Sequence, residues 1–298
     1  MLKWMKSRRR DRVIRRRFGT THPRQVRVLA GDHDLAIDPD DGRVRKILLY
    51  DTARGRRKTN QVFWLEAVAA LQPTIAIDVG LNYGECLFSA HYPSDVVLHG
   101  FEANPSLLPY LRQTCSGHPS DDMVTVHANA VSDVTGETVH LSVDAAWSGS
   151  SHLTSTPGCS TVAIKSVRLD DAVARPSKSD RVLLKVDVEG FEPPVLRGTS
   201  ETIAAAGTVL GFVEFSPELM HTRGHDVDAY WDALREQFTI YLCTETGEAR
   251  PIPSAPWSHV SQTIRQPHCD LILVAGERCE ELEQFFKAWR PLANSRTV

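Results

Sequence analysis

Cysteine is scarce in this chain: six in 298 residues, at irregular spacings and with no C-x-x-C pair. That excludes a disulfide framework and a thiolate zinc site, and it makes a reducing cytoplasm the expected compartment. Long apolar runs are also missing, the nearest being short pieces such as Leu271 to Ala275, so no membrane-crossing helix is expected. Eighteen glycines and seventeen prolines are too few and too scattered for a collagen-like or low-complexity chain. There is no internal repeat. What remains, 42% apolar and 24% charged, is an ordinary globular composition sized for one α/β domain with extensions.

Net charge is only −3, but it is unevenly placed. Residues 1–17 hold nine Lys or Arg (Lys3, Lys6, Arg8, Arg9, Arg10, Arg12, Arg15, Arg16 and Arg17) against Asp11, which leaves the rest of the chain at −11. No apolar stretch follows the arginines, so an export signal is not expected. The arm reads either as a solvated or self-docked segment or as a peripheral anchor, with Leu2, Trp4 and Met5 beside its charges, for the anionic inner face of a membrane. Nucleic acid is not an expected partner.

Four segments follow from the pattern: a basic arm over 1–20, strands and a helix over 21–72, a main domain over 73–276, and a closing helix and tail over 277–298. In the second, Val26 to Ala30, Leu35 to Ile37 and Val44 to Tyr50 are apolar stretches broken by turn residues, which predicts two or three antiparallel strands. A helix is expected over 60–71, capped by Asn60 and closed by Pro73. From Thr74 onward, short runs apolar on both faces alternate with helical patterns: 74–79 then 85–92, 96–101 then 106–115, 124–128, 182–188 then 194–198 and 202–206, and 209–215 then 227–237. Such runs belong to parallel strands covered on both sides, a doubly wound α/β sheet. Two more strands are expected at 238–243 and 270–275, separated by a Pro-rich insertion over 244–269 read as a candidate lid. Leu282, Phe285, Phe286 and Trp289 share one face of the closing helix, over 277–289.

Ligands of such sheets bind outside the carboxyl ends of the strands. Those ends carry Asp78, Glu102, Asn129, Asp187 with Glu189, and Glu214. A rim of carboxylates suits a ligand with hydroxyls and a positive charge. The first turn, Ile77-Asp78-Val79-Gly80-Leu81-Asn82-Tyr83-Gly84, has the spacing G-x-x-x-G and not the dinucleotide G-x-G-x-x-G, and Asp78 would repel a pyrophosphate. Twenty-four residues on, Glu102 is placed to accept both hydroxyls of a ribose. The inferred ligand is a cationic nucleoside, and S-adenosyl-L-methionine fits.

These residues carry a family likeness. Asp78 to Gly84 resembles the first motif of class I methyltransferases, and Phe101-Glu102-Ala103-Asn104-Pro105 resembles the F-E-P-N-P element of the FkbM-type methyltransferases. Gly149-Ser150-Ser151-His152-Leu153, Val167 to Asp171, Leu184 to Glu192, Val195 to Gly198 and Glu214-Phe215 follow in the same order. The resemblance implies a mostly parallel seven-stranded class I sheet with helices on both faces, S-adenosylmethionine as donor, and a hydroxyl acceptor on a sugar, glycolipid or polyketide-like molecule. It places Asp78, Gly80, Asn82 and Gly84 in the cofactor loop, Glu102 on the ribose, Asn104 in the adjoining turn, and Asn129 and Ala130 at the adenine edge. The chain departs from the pattern at Leu81, where Ala is usual, and at Ala103, where Pro is usual.

Methyl transfer to an alcohol requires an aligned acceptor and a proton acceptor. If the strand runs on to Glu189, then Lys185, Asp187 and Glu189 share one face, and the close like charges raise one carboxylate toward a useful base. The competing reading makes Asp187 and Glu189 turn caps and Glu192 a first-turn helix residue. His152, in a Gly/Ser loop, is the second base candidate. Ser151, Glu214 and His221 are expected to border the acceptor. No metal motif is present, although His221 and His225 with Asp187 leave a divalent ion open. Two alternatives stand beside methyl transfer: a nicotinamide-dependent oxidoreductase, against which the missing third glycine argues, and a non-catalytic nucleoside-binding module.

Overall fold

The computed structural model describes residues 2–27, 34–51, 59–118, 121–154, 161–244, 248–262, 264, 268–277 and 282. The basic arm is helix α1 (Leu2–Phe18), and it is docked on the body. Ile14 is fully buried, Arg17 donates to the carbonyls of Leu48 and Leu49, and Asp11 pairs with Arg45. Strands β1 (Gln25–Arg27) and β2 (Asp34–Ala36) form the expected antiparallel pair. The third expected strand is absent. Residues 44–50 lie in helix α2 (Gly42–Lys46) and a π-helical turn, Ile47–Asp51. Asp41 caps α2 by accepting from Arg43 N, and Val44, Ile47 and Leu48 are buried at helical spacing between exposed or half-buried basic residues.

Helix α3 (Thr59–Leu71) is apolar nearly all round because it is buried nearly all round. Asn60 lies inside the helix rather than before it, accepting from Gln61 N. Phe63 and Trp64 have no exposed surface, and Phe63 meets Phe212 with ring centroids 4.8 Å apart. Each such side chain contributes about 1.5–3 kcal/mol.

The main sheet is built from β3 (Ile75–Val79), β4 (Val97–Phe101), helix α4 (Leu108–Ser116) and β5 (Val124–His127). A small sheet interrupts it: β6 (Ala130–Val131), β7 (Thr138–Ser142), β8 (His152–Thr154) and β9 (Thr161–Val167), in the order β6-β9-β7-β8. Then come α5 (Leu169–Ala172), β10 (Arg181–Val186), α6 (Glu192–Arg197), α7 (Ser200–Ala205), β11 (Thr208–Phe215), α8 (Pro217–Thr222), α9 (Val227–Gln237) and β12 (Thr239–Cys243). The chain continues through β13 (Ala249–Pro251), α10 (Trp257–Val260) and β14 (Cys269–Gly276).

The strand order is β13-β12-β14-β11-β10-β3-β4-β5. From β11 to β5 every pairing is parallel, and β14 runs antiparallel between β11 and β12. This is the expected seven-stranded, mostly parallel sheet, extended at one edge by the three-residue β13. Alternate residues serve opposite cores: Leu183, Leu210 and Phe212 join α3 on one face, while Val182, Leu184 and Val186 join Trp231 and Phe215 on the other. That two-sided burial is why these runs carry no polar face.

Two further expectations change. Residues 85–92 hold a short 3₁₀ turn, Leu87–Ser89, and not an α-helix, because 83–90 are buried on every side and offer no polar face. Strand β10 stops at Val186, short of 188. Within the 244–269 insertion, Trp257 packs on Phe215 and Trp231, and the Trp231 indole donates to Ala255 O. The closing helix over 277–289 lies mostly outside the described residues, though Leu282 is buried in the core. Among the described residues no helix is long and apolar enough to cross a membrane.

Candidate active site

Strand order reverses about β3, so the carboxyl ends of β3 and β10 diverge at a crevice. Gly80, at φ +80°, turns the chain there. A Cβ on it would stand 1.9 Å from Asp187 O, so only glycine lets the loop pass the end of β10. Gly80 N and Leu81 N both donate to Phe101 O, at 3.1 and 3.0 Å. Leu81, the departure from the family pattern, is accommodated by Gly100 in β4, where a Cβ would lie 2.5 Å from the Leu81 side chain. Glu102 then joins the two loops. Its Oε2 accepts from Asn82 N and its Oε1 from Asn104 N, each at 2.7 Å. Burial raises this carboxyl above the usual range, while the two backbone N–H groups pull it down.

Over these loops lies an open cleft lined by both polar and apolar groups. It brings together nine of the residues expected from the sequence: Gly80, Asn82, Glu102, Asn129, Ala130, Ser151, His152, Asp187 and Glu189. The small sheet forms the roof, through Leu141, Leu153 and the 148–152 turn. Asn129 is held by a 3.1 Å bond to Lys165 O. His152 Nδ1 lies 2.8 Å from Ser150 O; a carbonyl only accepts, so Nδ1 carries the proton and Nε2 is the basic nitrogen of the neutral ring.

Five expected residues are not on this wall. Gly84 (φ +81°) is a packing glycine whose Cβ would meet the Phe88 ring at 2.2 Å. Asn104 is 2% exposed, its side chain accepting from Ser106. His221 is exposed on α8. Asp78 is buried behind the loop, bonded to Lys185 Nζ at 3.0 Å. Glu214 sits behind Glu189 and does not line the cleft.

At the β10 end the carboxylates converge. Because β10 ends early, Lys185, Asp187 and Glu189 do not share a strand face; the turn after Val186 still leaves Lys185 Nζ 3.5 Å from Asp187 Oδ2. Asp187, Glu189 and Glu214 each offer an oxygen within 4.8 Å of the others, the one such grouping among the described residues, and together they could hold a cation. Glu189 has φ +57°, uncommon for a residue with a Cβ. Burial, then the Asp187 charge, pushes Glu189 up to about 7. Burial pushes Asp270 and Glu192 to about 7 as well, and Glu214, facing Asp187, Glu192 and Glu189, up to about 10. Glu192 behaves as the competing reading expected, its Oε1 accepting from Val188 N and Gly190 N.

Arg43 went unread in the sequence. It reaches the cleft from α2 and pairs with Glu85. Its turn is clipped to the roof by Gly42 N donating to Ala146 O at 2.9 Å and Ser148 N donating to Asp41 Oδ1 at 3.3 Å. No motif in the sequence marks Arg43; a signal existed only in Asp41-Gly42 as a helix start.

The sequence model of the methyltransferase FkbM domain matches residues 78–238. No curated protein matches the chain. Among solved structures, a methyltransferase FkbM from Methylobacillus flagellatus KT is 16% identical, with 77% of this chain and 52% of that one covered at a TM-score of 0.41. An S-adenosylmethionine-dependent O-methyltransferase from Thermotoga maritima is 10% identical, with coverages of 74% and 65% and a TM-score of 0.40. The plantazolicin methyltransferase BpumL, solved with S-adenosylhomocysteine, is 8% identical, with coverages of 74% and 83% and a TM-score of 0.38. This chain thus spans about half the length of the first structure.

Proposed function

The chain belongs to the FkbM methyltransferase family, and from that premise we propose that it methylates a hydroxyl group, on a sugar of a glycan, glycolipid or glycosylated natural product. The FkbM methyltransferase domain match over residues 78–238 supports methyl transfer, with S-adenosylmethionine as the proposed donor. The finer reading rests on one observation: Glu189, a carboxylate with its affinity for a proton raised to about 7, stands on the wall of the same cleft as Gly80 and Glu102.

The chain's residues fit the donor. Each oxygen of Glu102 has accepted one backbone N–H, so the carboxylate keeps acceptor capacity for a pair of ribose hydroxyls. Gly80 keeps side-chain bulk out of the crevice floor, and Asn129 with Ala130 borders the end assigned to adenine. When bound, the donor supplies an electrophilic methyl group on a sulfonium. The protein's own part is to align the acceptor and to remove its proton. Near neutral pH Glu189 is partly ionised, which suits it to take that proton, and Lys185 neutralises the neighbouring Asp187 and Asp78. His152, across the cleft, is the alternative base. Ser151 and the carboxylate end provide partners for a polyol, and Phe191 an apolar face for its ring.

The test is methyl transfer from labelled S-adenosylmethionine to a panel of glycans, with and without EDTA, between pH 5.5 and 9. Parent activity should rise through about pH 7 and ignore EDTA. Glu189→Gln should lose the rising limb and roughly a hundredfold or more in kcat, while binding S-adenosylhomocysteine normally. A Glu189→Gln enzyme with the parent's pH profile would move the base to His152; loss of activity in EDTA would make Glu189 a metal ligand instead.

A further inference from the structure

A second, much smaller cavity opens beside the cleft and shares Arg43, Gly80 and Asp187 with it. Its far wall is α3, through Asn60 and Gln61. Gln61 is 1% exposed, yet among the described residues neither its amide oxygen nor its amide nitrogen has a hydrogen-bond partner. A buried amide left with both functions unpaired is costly, and native structures rarely keep one without a reason. The charged groups around it are already engaged: Lys185 with Asp78 and Gly80 O, and Arg43 with Glu85.

A ligand group that pairs with Gln61 brings both an acceptor and a donor, is small, and tolerates cations and carboxylates side by side. An α-amino acid zwitterion has that chemistry: its carboxylate would take the Gln61 amide N–H and face Arg43, and its ammonium would meet the Gln61 oxygen and Asp187. The cavity is far smaller than the cleft, too small for a glycan, and meets the cleft at Gly80.

We infer that Gln61, with Arg43, binds the amino-acid end of the donor, so that helices α2 and α3, both outside the residues matched to the family, complete the donor site. This rests on the donor-site reading above. It also explains why the α2 turn is held so closely: Tyr83 donates to Asp41 Oδ2 at 3.0 Å while Asp41 Oδ1 accepts from Ser148 N and Arg43 N.

The test compares two ligands by titration calorimetry: S-adenosylhomocysteine, and 5′-methylthioadenosine, which keeps the nucleoside and thioether and lacks the amino-acid end. Gln61→Leu and Gln61→Ala should each weaken S-adenosylhomocysteine about tenfold or more and leave methylthioadenosine within twofold. Gln61→Leu should melt, without ligand, at or above the parent's temperature, since an unpaired amide has been replaced by an apolar group of similar size. Unchanged S-adenosylhomocysteine affinity in both variants would overturn the assignment, as would equal weakening of both ligands. Failure of the parent to bind either ligand would instead overturn the donor-site reading, and this inference with it.

Discussion

Lys185→Met isolates the electrostatic core of the site. In register across the parallel pair, Lys185 of β10 stands beside Asp78 of β3. Its Nζ is 3.0 Å from Asp78 Oδ1 and 3.5 Å from Asp187 Oδ2, with side-chain exposures of 6% for Lys185 and 1% for Asp78. Burial works against the Lys185 charge, but Asp78 and Asp187 hold its proton well above the ordinary lysine range. Burial likewise pushes Asp78 up, and Lys185 pulls it back. At 3 Å and an effective dielectric near 20 the attraction is about 5 kcal/mol, much of it offset by desolvation. Removing one partner leaves a buried charge uncompensated, which costs about 3–5 kcal/mol, or a melting point lower by about 6–12 °C. The sign of the pH dependence follows. With Lys185 gone, Asp78 takes up a proton more readily, so the deficit against the parent should shrink between pH 8 and pH 5.5. Asp78→Asn combined with Lys185→Met should recover most of the loss at pH 8. Urea melts of parent, single and double variants at both pH values make the measurement. A deficit below about 1 kcal/mol, or one equal at both pH values with no recovery in the double variant, would refute the reasoning.

Gly80→Ala places a Cβ 1.9 Å from Asp187 O at φ +80°; it should cost about 3 kcal/mol or more and weaken S-adenosylhomocysteine about a hundredfold, and calorimetric affinity within threefold of the parent would contradict it. Glu214, raised to about 10, is protonated at neutral pH. Its contribution to stability is full below its ordinary value of 4.5 and is lost as pH rises toward 10, so the parent should weaken by up to about 1.4 kcal/mol per pH unit over that range relative to Glu214→Gln. Parallel urea midpoints for the two proteins from pH 6 to 8 would count against it. Deleting 1–17 would also remove the buried Ile14, so the membrane role proposed for α1 is better tested by changing Arg9, Arg10, Arg12, Arg15 and Arg16 to Gln. At about 1 kcal/mol per basic residue, that variant should no longer sediment with vesicles rich in anionic lipid, and unchanged sedimentation would refute the role.

The parallel strands were legible because two-sided burial leaves an unmistakable mark: β3, β4, β5, β10 and β11 all fall within two residues of the apolar runs that announce them. Gly80 and Glu102 were legible from the turn after a strand and the spacing to the next. Residues 44–50 were not, since a short aliphatic run between charges reads equally as strand or helix, and burial of Val44, Ile47 and Leu48 decides it. The small sheet β6–β9 escaped because its strands are mostly half-exposed. Asp187, Glu189 and Glu214 do converge, but through a turn and a left-handed Glu189 and not along one strand face. Arg43 and Gln61 carry no local signature; they matter because folding sets them beside Gly80 and Asp187, far along the chain.

The central claim is tested most directly by a crystal structure with S-adenosylhomocysteine bound. The account predicts its ribose hydroxyls within hydrogen-bond distance of Glu102 and its sulfur between Gly80 and Asp187, facing Glu189. A cleft left empty at saturating ligand, or a ligand seated away from Gly80 and Glu102, would contradict it.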